Sequence, residues 1–177
     1  MSGIELVLFD VDGVLTDGSL FIDGEGELVK AFNARDGIAV ALLRHHGVRT
    51  GFVSGKSSAS LDFRTKQLDV DVALTGRTDK LRACDELAQR LGIRLSSMAF
   101  VGDDVIDLPL AGRVGQFFAP RDAHPLVLAG ADVVVDVDGG HGVARAVSEH
   151  VLIQQGHSLH SMYAPLLRNL GVDKLDQ

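Results

Sequence analysis

Short apolar runs that stop at polar turns, with helix-length segments between them, govern what this chain can fold into. Six such runs lie near residues 4–9, 50–53, 71–74, 98–101, 115–118 and 132–135. Their brevity, their Val and Phe content and the turn residues that bound them mark buried strands. Stretches 36–46, 58–68, 78–91 and 142–155 have the length and patterning of helices, and Gly47, Gly92 and Gly156 suit the left-handed position after a helix end. Strands alternating with helices predict an α/β fold, a Rossmann-like and mostly parallel sheet with helices on both faces. At 177 residues the chain reads as one domain over 1–177, large enough to bury roughly 70% of its unfolded surface.

Three of the runs end in residues that suit chemistry on phosphate. Leu6 to Phe9 delivers Asp10-Val11-Asp12-Gly13 at a strand exit, the end of an open α/β sheet where ligands collect. Alone, this pair reads equally well as an Asp-rich turn. Met98 to Val101 ends in Gly102-Asp103-Asp104, with Asp107 close behind. If both strands share a sheet, as many as five carboxylates crowd one edge, and two charges ~4 Å apart repel by ~4 kcal/mol at an effective dielectric near 20. A cation must balance them, and oxygen ligands without His or Cys favour Mg²⁺. Thr50 to Val53 ends at Ser54-Gly55, which offers a hydroxyl and backbone N–H groups to a phosphate oxygen. Lys80 opens a helix, where an ammonium opposes the macrodipole, so an anionic neighbour explains it better than helix stability does.

In that order, DVDGV, Ser54, Lys80 and VGDDVID resemble the haloacid dehalogenase superfamily of phosphohydrolases. The stretches DVDGVLTDG, FNARDGIAVALL, VGDDVIDLPL, DAHPLVLAGAD and GGHGVARAV are similar to its small capless branch, which includes the 3-deoxy-D-manno-octulosonate 8-phosphate phosphatases. The resemblance covers roughly residues 4–153 and implies a Mg²⁺-dependent phosphomonoesterase acting on a sugar-acid phosphate through an aspartyl-phosphate intermediate. A nine-carbon sialic-type acid phosphate, another small sugar phosphate and a non-catalytic oligomerisation module are the alternatives. By the resemblance, Asp10 is the nucleophile and Asp12 the acid and base. Asp10, the backbone carbonyl of Asp12, and Asp103 hold the metal, supported by Asp104 and Asp107, while Ser54, Gly55 and Lys80 bind the phosphoryl group. Relatives carry Arg where this chain has Lys56 and His141, which leaves Arg64 or Arg35 as the guanidinium for a substrate carboxylate.

The formal charge of −7 argues against a nucleic-acid partner, which wants a basic stripe. No run approaches the length of a membrane span, and no signal-peptide pattern precedes the first strand, so a cytoplasmic location is expected. The single cysteine, Cys84, excludes an internal disulfide and falls on an apolar helical stripe, as a core residue would. Residues 18–32 break the alternation and read as a β-hairpin in place of a cap, with strands over 19–22 and 28–32. An isolated hairpin is marginal in water. It packs either on its own domain or, as the resemblance implies and as we favour, on other subunits of a homotetramer. The C-terminal extension, 156–177, carries apolar residues at helical spacing interrupted by Pro165, and a packing extension is the preferred reading over a kinked lid. His157 and His160 have metal-ligand spacing but no evident third ligand.

Overall fold

The computed structural model describes residues 3–24 and 26–172. Its centre is a six-stranded sheet of order β5-β4-β1-β6-β7-β8, every neighbouring pair parallel. The strands are β1 (Leu6–Asp10), β4 (Arg49–Val53), β5 (Val72–Leu74), β6 (Met98–Val101), β7 (Gln116–Pro120) and β8 (Val133–Val135). All six expected strands are present. Because β1 leads to β4 and β5 on one side while β6, β7 and β8 extend the other, strand order reverses at β1/β6, where α/β sheets open a ligand crevice.

Alternation along β1 divides the core. Val7 and Phe9 point to one face, where Phe52, Val101 and Phe118 meet α1 (Arg35–His45), α2 (Ala59–Leu68), α5 (Val143–Gln154) and α6 (Leu159–Asn169). Leu6 and Leu8 point to the other, where Phe100 and Phe117 meet α3 (Lys80–Leu91) and α4 (Pro125–Gly130). At full burial such side chains contribute about 1.5–3 kcal/mol each, so a charge at any of them breaks the sheet's packing. Cys84 lies in the second cluster, and burial pushes its thiol up to about 12, as expected of an inert core residue. The short α4 escaped the sequence reading, although Pro125 at its first turn and His124 as its N-cap are start signals. None of the described helices is long and apolar enough to cross a membrane.

The hairpin consists of β2 (Phe21–Asp23) and β3 (Gly26–Val29), antiparallel and separate from the main sheet. Both strands sit closer to the loop than the reading from sequence had them, and their register shifts between Phe21 and Ile22. Phe21, Ile22, Leu28 and Val29 stand 49–64% exposed, so within one chain the hairpin does not bury its apolar side chains.

One expectation fails at the C-terminus. Pro165 does not interrupt the amphipathic segment: α6 runs through it. Ser158 caps the helix, Met162 is fully buried, and Tyr163 and Leu166 pack on the same core, so tertiary contacts on both sides of the proline offset the lost backbone donor. The ring of His46 donates from Nε2 to the Met162 carbonyl at 2.9 Å, and the His157 ring meets His46 at a tilt of 57° with ring centroids 4.2 Å apart. The segment packs through Met162, Tyr163 and Leu166, residues 168–172 are exposed, and the remainder of 156–177 lies outside the described residues.

Candidate active site

The chain leaves β1 at Asp10 and turns at once through the loop Val11–Leu15, which is non-helical at Asp12 and Gly13 and is closed by the Thr16 N–H donating to the Val11 carbonyl at 3.0 Å. Gly13 makes this turn workable: its φ is +88°, and a Cβ there would lie 2.0 Å from Asp103 Oδ2. The two acidic turns therefore touch. Gly139 and Gly140 close over the same turn from the far end of the chain, with the Gly140 N–H donating to the Val14 carbonyl at 2.9 Å. Cβ atoms on these glycines would come within 2.2 Å of the Gly13 carbonyl and 2.6 Å of the Asp17 nitrogen.

Asp10, Asp103 and Asp107 each offer a carboxylate oxygen within 4.8 Å of the others. Lys80 enters from the first turn of α3 and pairs with Asp10 Oδ2 at 2.9 Å and Asp107 Oδ1 at 2.6 Å. The anionic neighbour inferred from its awkward helix position is thus a pair of neighbours, while Asp79 caps the helix in its stead. One ammonium does not balance three carboxylates. Burial, reinforced by Asp107, raises Asp10 to about 6 against the pull of Lys80. Burial, then the charges of Asp10 and Asp107, raises Asp103 to about 8. Lys80 itself is held above the usual lysine range, because these carboxylates outweigh its own burial.

The three acids are not equivalent. Asp107 is saturated: beyond Lys80 on Oδ1, its Oδ2 accepts from the Asp103 and Asp104 backbone N–H groups at 3.2 and 3.4 Å. Asp103 Oδ1 is buried and has no hydrogen-bond partner. A buried carboxylate oxygen without a donor is costly unless a cation meets it, so an all-oxygen set around Asp10 and Asp103 fits a hard divalent ion. Asp104 supports the turn as an N-cap, accepting from the Val105 N–H at 2.7 Å.

Asp10, Asp12, Gly13, Ser54, Gly55, Lys56, Lys80, Asp103 and Asp104 share one cavity of about 320 Å³. Ser54 is buried, and its Oγ accepts from the Lys56 N–H at 3.1 Å, leaving the hydroxyl proton free to donate. Asp12 is not one of the acidic triad and pairs through Oδ1 with Lys30. Arg64 is not in this cavity. It lines a neighbouring one of about 420 Å³ with Lys30, Phe32 and Phe63, its guanidinium 5.8 Å from the Phe32 ring centroid. His141 Nδ1 donates to the Gly139 carbonyl at 2.7 Å, and Arg35 packs beside Gly142.

Two residues escaped the sequence reading. Lys30 sits at the base of the hairpin with its side chain 1% exposed, held between Asp12 and Glu27, the latter at 3.0 Å. Asp36, 4% exposed, accepts from the Arg145 N–H at 3.3 Å and so secures the start of α5 from α1. Burial pushes Asp36 up to about 6. The sequence signal for it was only an acidic residue in a helix first turn, which the macrodipole favours at any exposed helix start.

Comparison with known proteins agrees with this geometry. Residues 71–147 match the family model for haloacid dehalogenase-like hydrolases. The 3-deoxy-D-manno-octulosonate 8-phosphate phosphatase of Escherichia coli K12 is 37% identical over 153 residues, 86% of this chain and 81% of that protein. The phosphatase of the same name from Moraxella catarrhalis, solved with magnesium, phosphate and the sugar acid, superposes with a TM-score of 0.86 at 32% identity, covering 96% and 94% of the two chains. The cobalt-bound Haemophilus influenzae phosphatase gives 0.84 at 36%, covering 88% and 91%. The chain therefore belongs to the haloacid dehalogenase superfamily, as a capless phosphoric monoester hydrolase of the 3-deoxy-D-manno-octulosonate 8-phosphate phosphatase family.

Proposed function

We propose that this protein hydrolyses the phosphate monoester of a sugar acid, 3-deoxy-D-manno-octulosonate 8-phosphate being the first choice, with Mg²⁺ and a covalent intermediate on Asp10. The observation that carries the reading is Asp103 Oδ1, buried and without a donor beside Asp10, in a cavity that also holds Ser54 and Lys80. Asp10, Asp103 and the Asp12 carbonyl would hold Mg²⁺, which when bound draws charge from the phosphoryl group and keeps Asp10 ionised. Asp10 attacks phosphorus as the sugar oxygen leaves. The Ser54 hydroxyl, the Gly55 N–H and the Lys80 ammonium bind the phosphoryl oxygens, where charge stabilisation counts most. Asp12 gives a proton to the departing oxygen and then takes one from the water that hydrolyses the aspartyl phosphate.

Arg64 and the cavity it lines, adjoining the acidic one through Lys30, offer room and a planar cation for the sugar acid's carboxylate. The exposed hairpin supports assembly into a homotetramer, in which Phe21, Ile22, Leu28 and Val29 would be covered by other copies. The same reading takes the cytoplasm, where sugar phosphates are made, as the place of action. A phosphate-release screen of sugar-acid phosphates and simple sugar phosphates, with and without Mg²⁺, tests it. Metal-dependent release is expected from the wild type, falling by about 10⁴-fold or more in Asp10→Asn, since phosphate-ester hydrolysis without enzyme is among the slowest reactions. Equal release from both proteins would remove Asp10 from the mechanism.

A further inference from the structure

We propose that Lys30 is a positioning residue that holds the Asp12 carboxylate in the orientation from which it serves the leaving oxygen, and that Glu27 holds Lys30 in place. The inference rests on the reading of Asp12 as acid and base, and goes beyond it. Lys30 Nζ donates to Asp12 Oδ1 and, at 3.0 Å, to Glu27 Oε2. Its side chain is 1% exposed, so water does not replace either partner. Oδ1 is engaged by the ammonium, which leaves Oδ2 as the free oxygen of the carboxylate. Oδ2 accepts no protein hydrogen bond among the described residues, and Asp12 lines the cavity that holds Asp10.

Glu27 gives the buried ammonium a second anchor. The second carboxylate fixes the ammonium from the hairpin side, so that Asp12 meets a donor already held in place. Lys30 is held above the usual lysine range, since Asp12 and Glu27 outweigh its burial. Both Glu27 and Lys30 come from the hairpin and its base, so the element standing where a cap would be also aims the proton-transfer group.

Leaving-group dependence separates positioning from general damage. The quantity kcat/KM covers steps up to departure of the leaving group. A sugar oxygen needs a proton to leave, whereas p-nitrophenolate does not. The variants Lys30→Met, Lys30→Arg, Glu27→Gln and Asp12→Asn are compared on the sugar-acid phosphate that the wild type turns over and on p-nitrophenyl phosphate, with Mg²⁺ affinity followed by calorimetry. Because general acid catalysis is worth about 10²–10⁴-fold, Lys30→Met should lose about 30-fold or more on the sugar phosphate and less than about 3-fold on the aryl phosphate. Mg²⁺ affinity should be unchanged, and Lys30→Arg should recover most of the loss. If Lys30→Met does not fold, Glu27→Gln carries the test with the same preferential loss at about 3–10-fold. Asp12→Asn must show the preferential loss if Asp12 is the acid, and equal losses on both substrates there would end that assignment. A preferential loss in Asp12→Asn but equal or no losses in the Lys30 and Glu27 variants would overturn the positioning role alone.

Discussion

Replacing Asp103 by Asn should stabilise the metal-free protein at high pH and remove its response to Mg²⁺. The oxygens of Asp10, Asp103 and Asp107 lie within 4.8 Å of one another, so each like-charged pair repels by at least ~3.5 kcal/mol at an effective dielectric near 20. Asp103 takes part in two such pairs, offset in part by Lys80, and its partial exposure screens the remainder. About 2 kcal/mol is a fair net repulsion. Asp103 is raised from 3.8 to about 8, so the folded state holds its proton more tightly than the unfolded chain. Its contribution is intact below about pH 4 and is lost as pH rises toward and through about 8. Asn does not titrate. In chelator-treated protein the two should melt together at pH 5, whereas at pH 9 Asp103→Asn should melt about 4–8 °C higher. Mg²⁺ at a hundred times its dissociation constant adds about 2.7 kcal/mol to a protein that binds it, which restores the wild type alone. The assay is differential scanning calorimetry over this pH range with and without Mg²⁺. A metal-free Asp103→Asn protein that melts lower than wild type at pH 9, or one that Mg²⁺ still raises, would refute the account of Asp103 as a carboxylate awaiting a cation.

Three further outcomes follow from the same geometry. Lys80→Met strips the counter-charge from Asp10 and Asp107 and should cost about 3–5 kcal/mol in metal-free protein, with the larger fall in melting temperature at pH 8 than at pH 5, where the acids take up protons instead. Gly13→Ala adds a Cβ that meets Asp103 Oδ2 at a φ of +88°; it should lower Mg²⁺ affinity by at least about 10-fold, read by calorimetry, because one of the touching turns must move. Ile22→Lys, on a side chain 64% exposed, should shift light-scattering mass toward the monomer while leaving the melting of the sheet domain within about 0.5 kcal/mol.

The sheet and the acidic edge were legible because each depends on local pattern. Strand β1 is a short apolar run followed by two acids, and Lys80 betrayed its partners by standing where a helix repels a cation. What stayed hidden depends on contacts between remote segments. Lys30 and Glu27 lie three residues apart in an acidic hairpin and look like solvated charges until Asp12 is seen against them. Asp104 counts as one more carboxylate in the sequence yet spends itself on an N-cap. Arg64 stands on the right helix but leans on Phe32, outside the acidic cavity. Pro165 misled because a rule about helix interiors was applied without the burial of Met162 that overrides it.

The contact of Gly139 and Gly140 with the turn at residues 13–17 bears on the birth of the enzyme. Asp10 is made well before the backbone that braces its turn, which emerges about 130 residues later. At ribosomal speeds this is a delay on the order of 10 s. Throughout that interval the growing polypeptide carries Asp10 without the support that shapes its surroundings, so fragments ending before Gly139 should be inert toward phosphate esters however well their first strands pair.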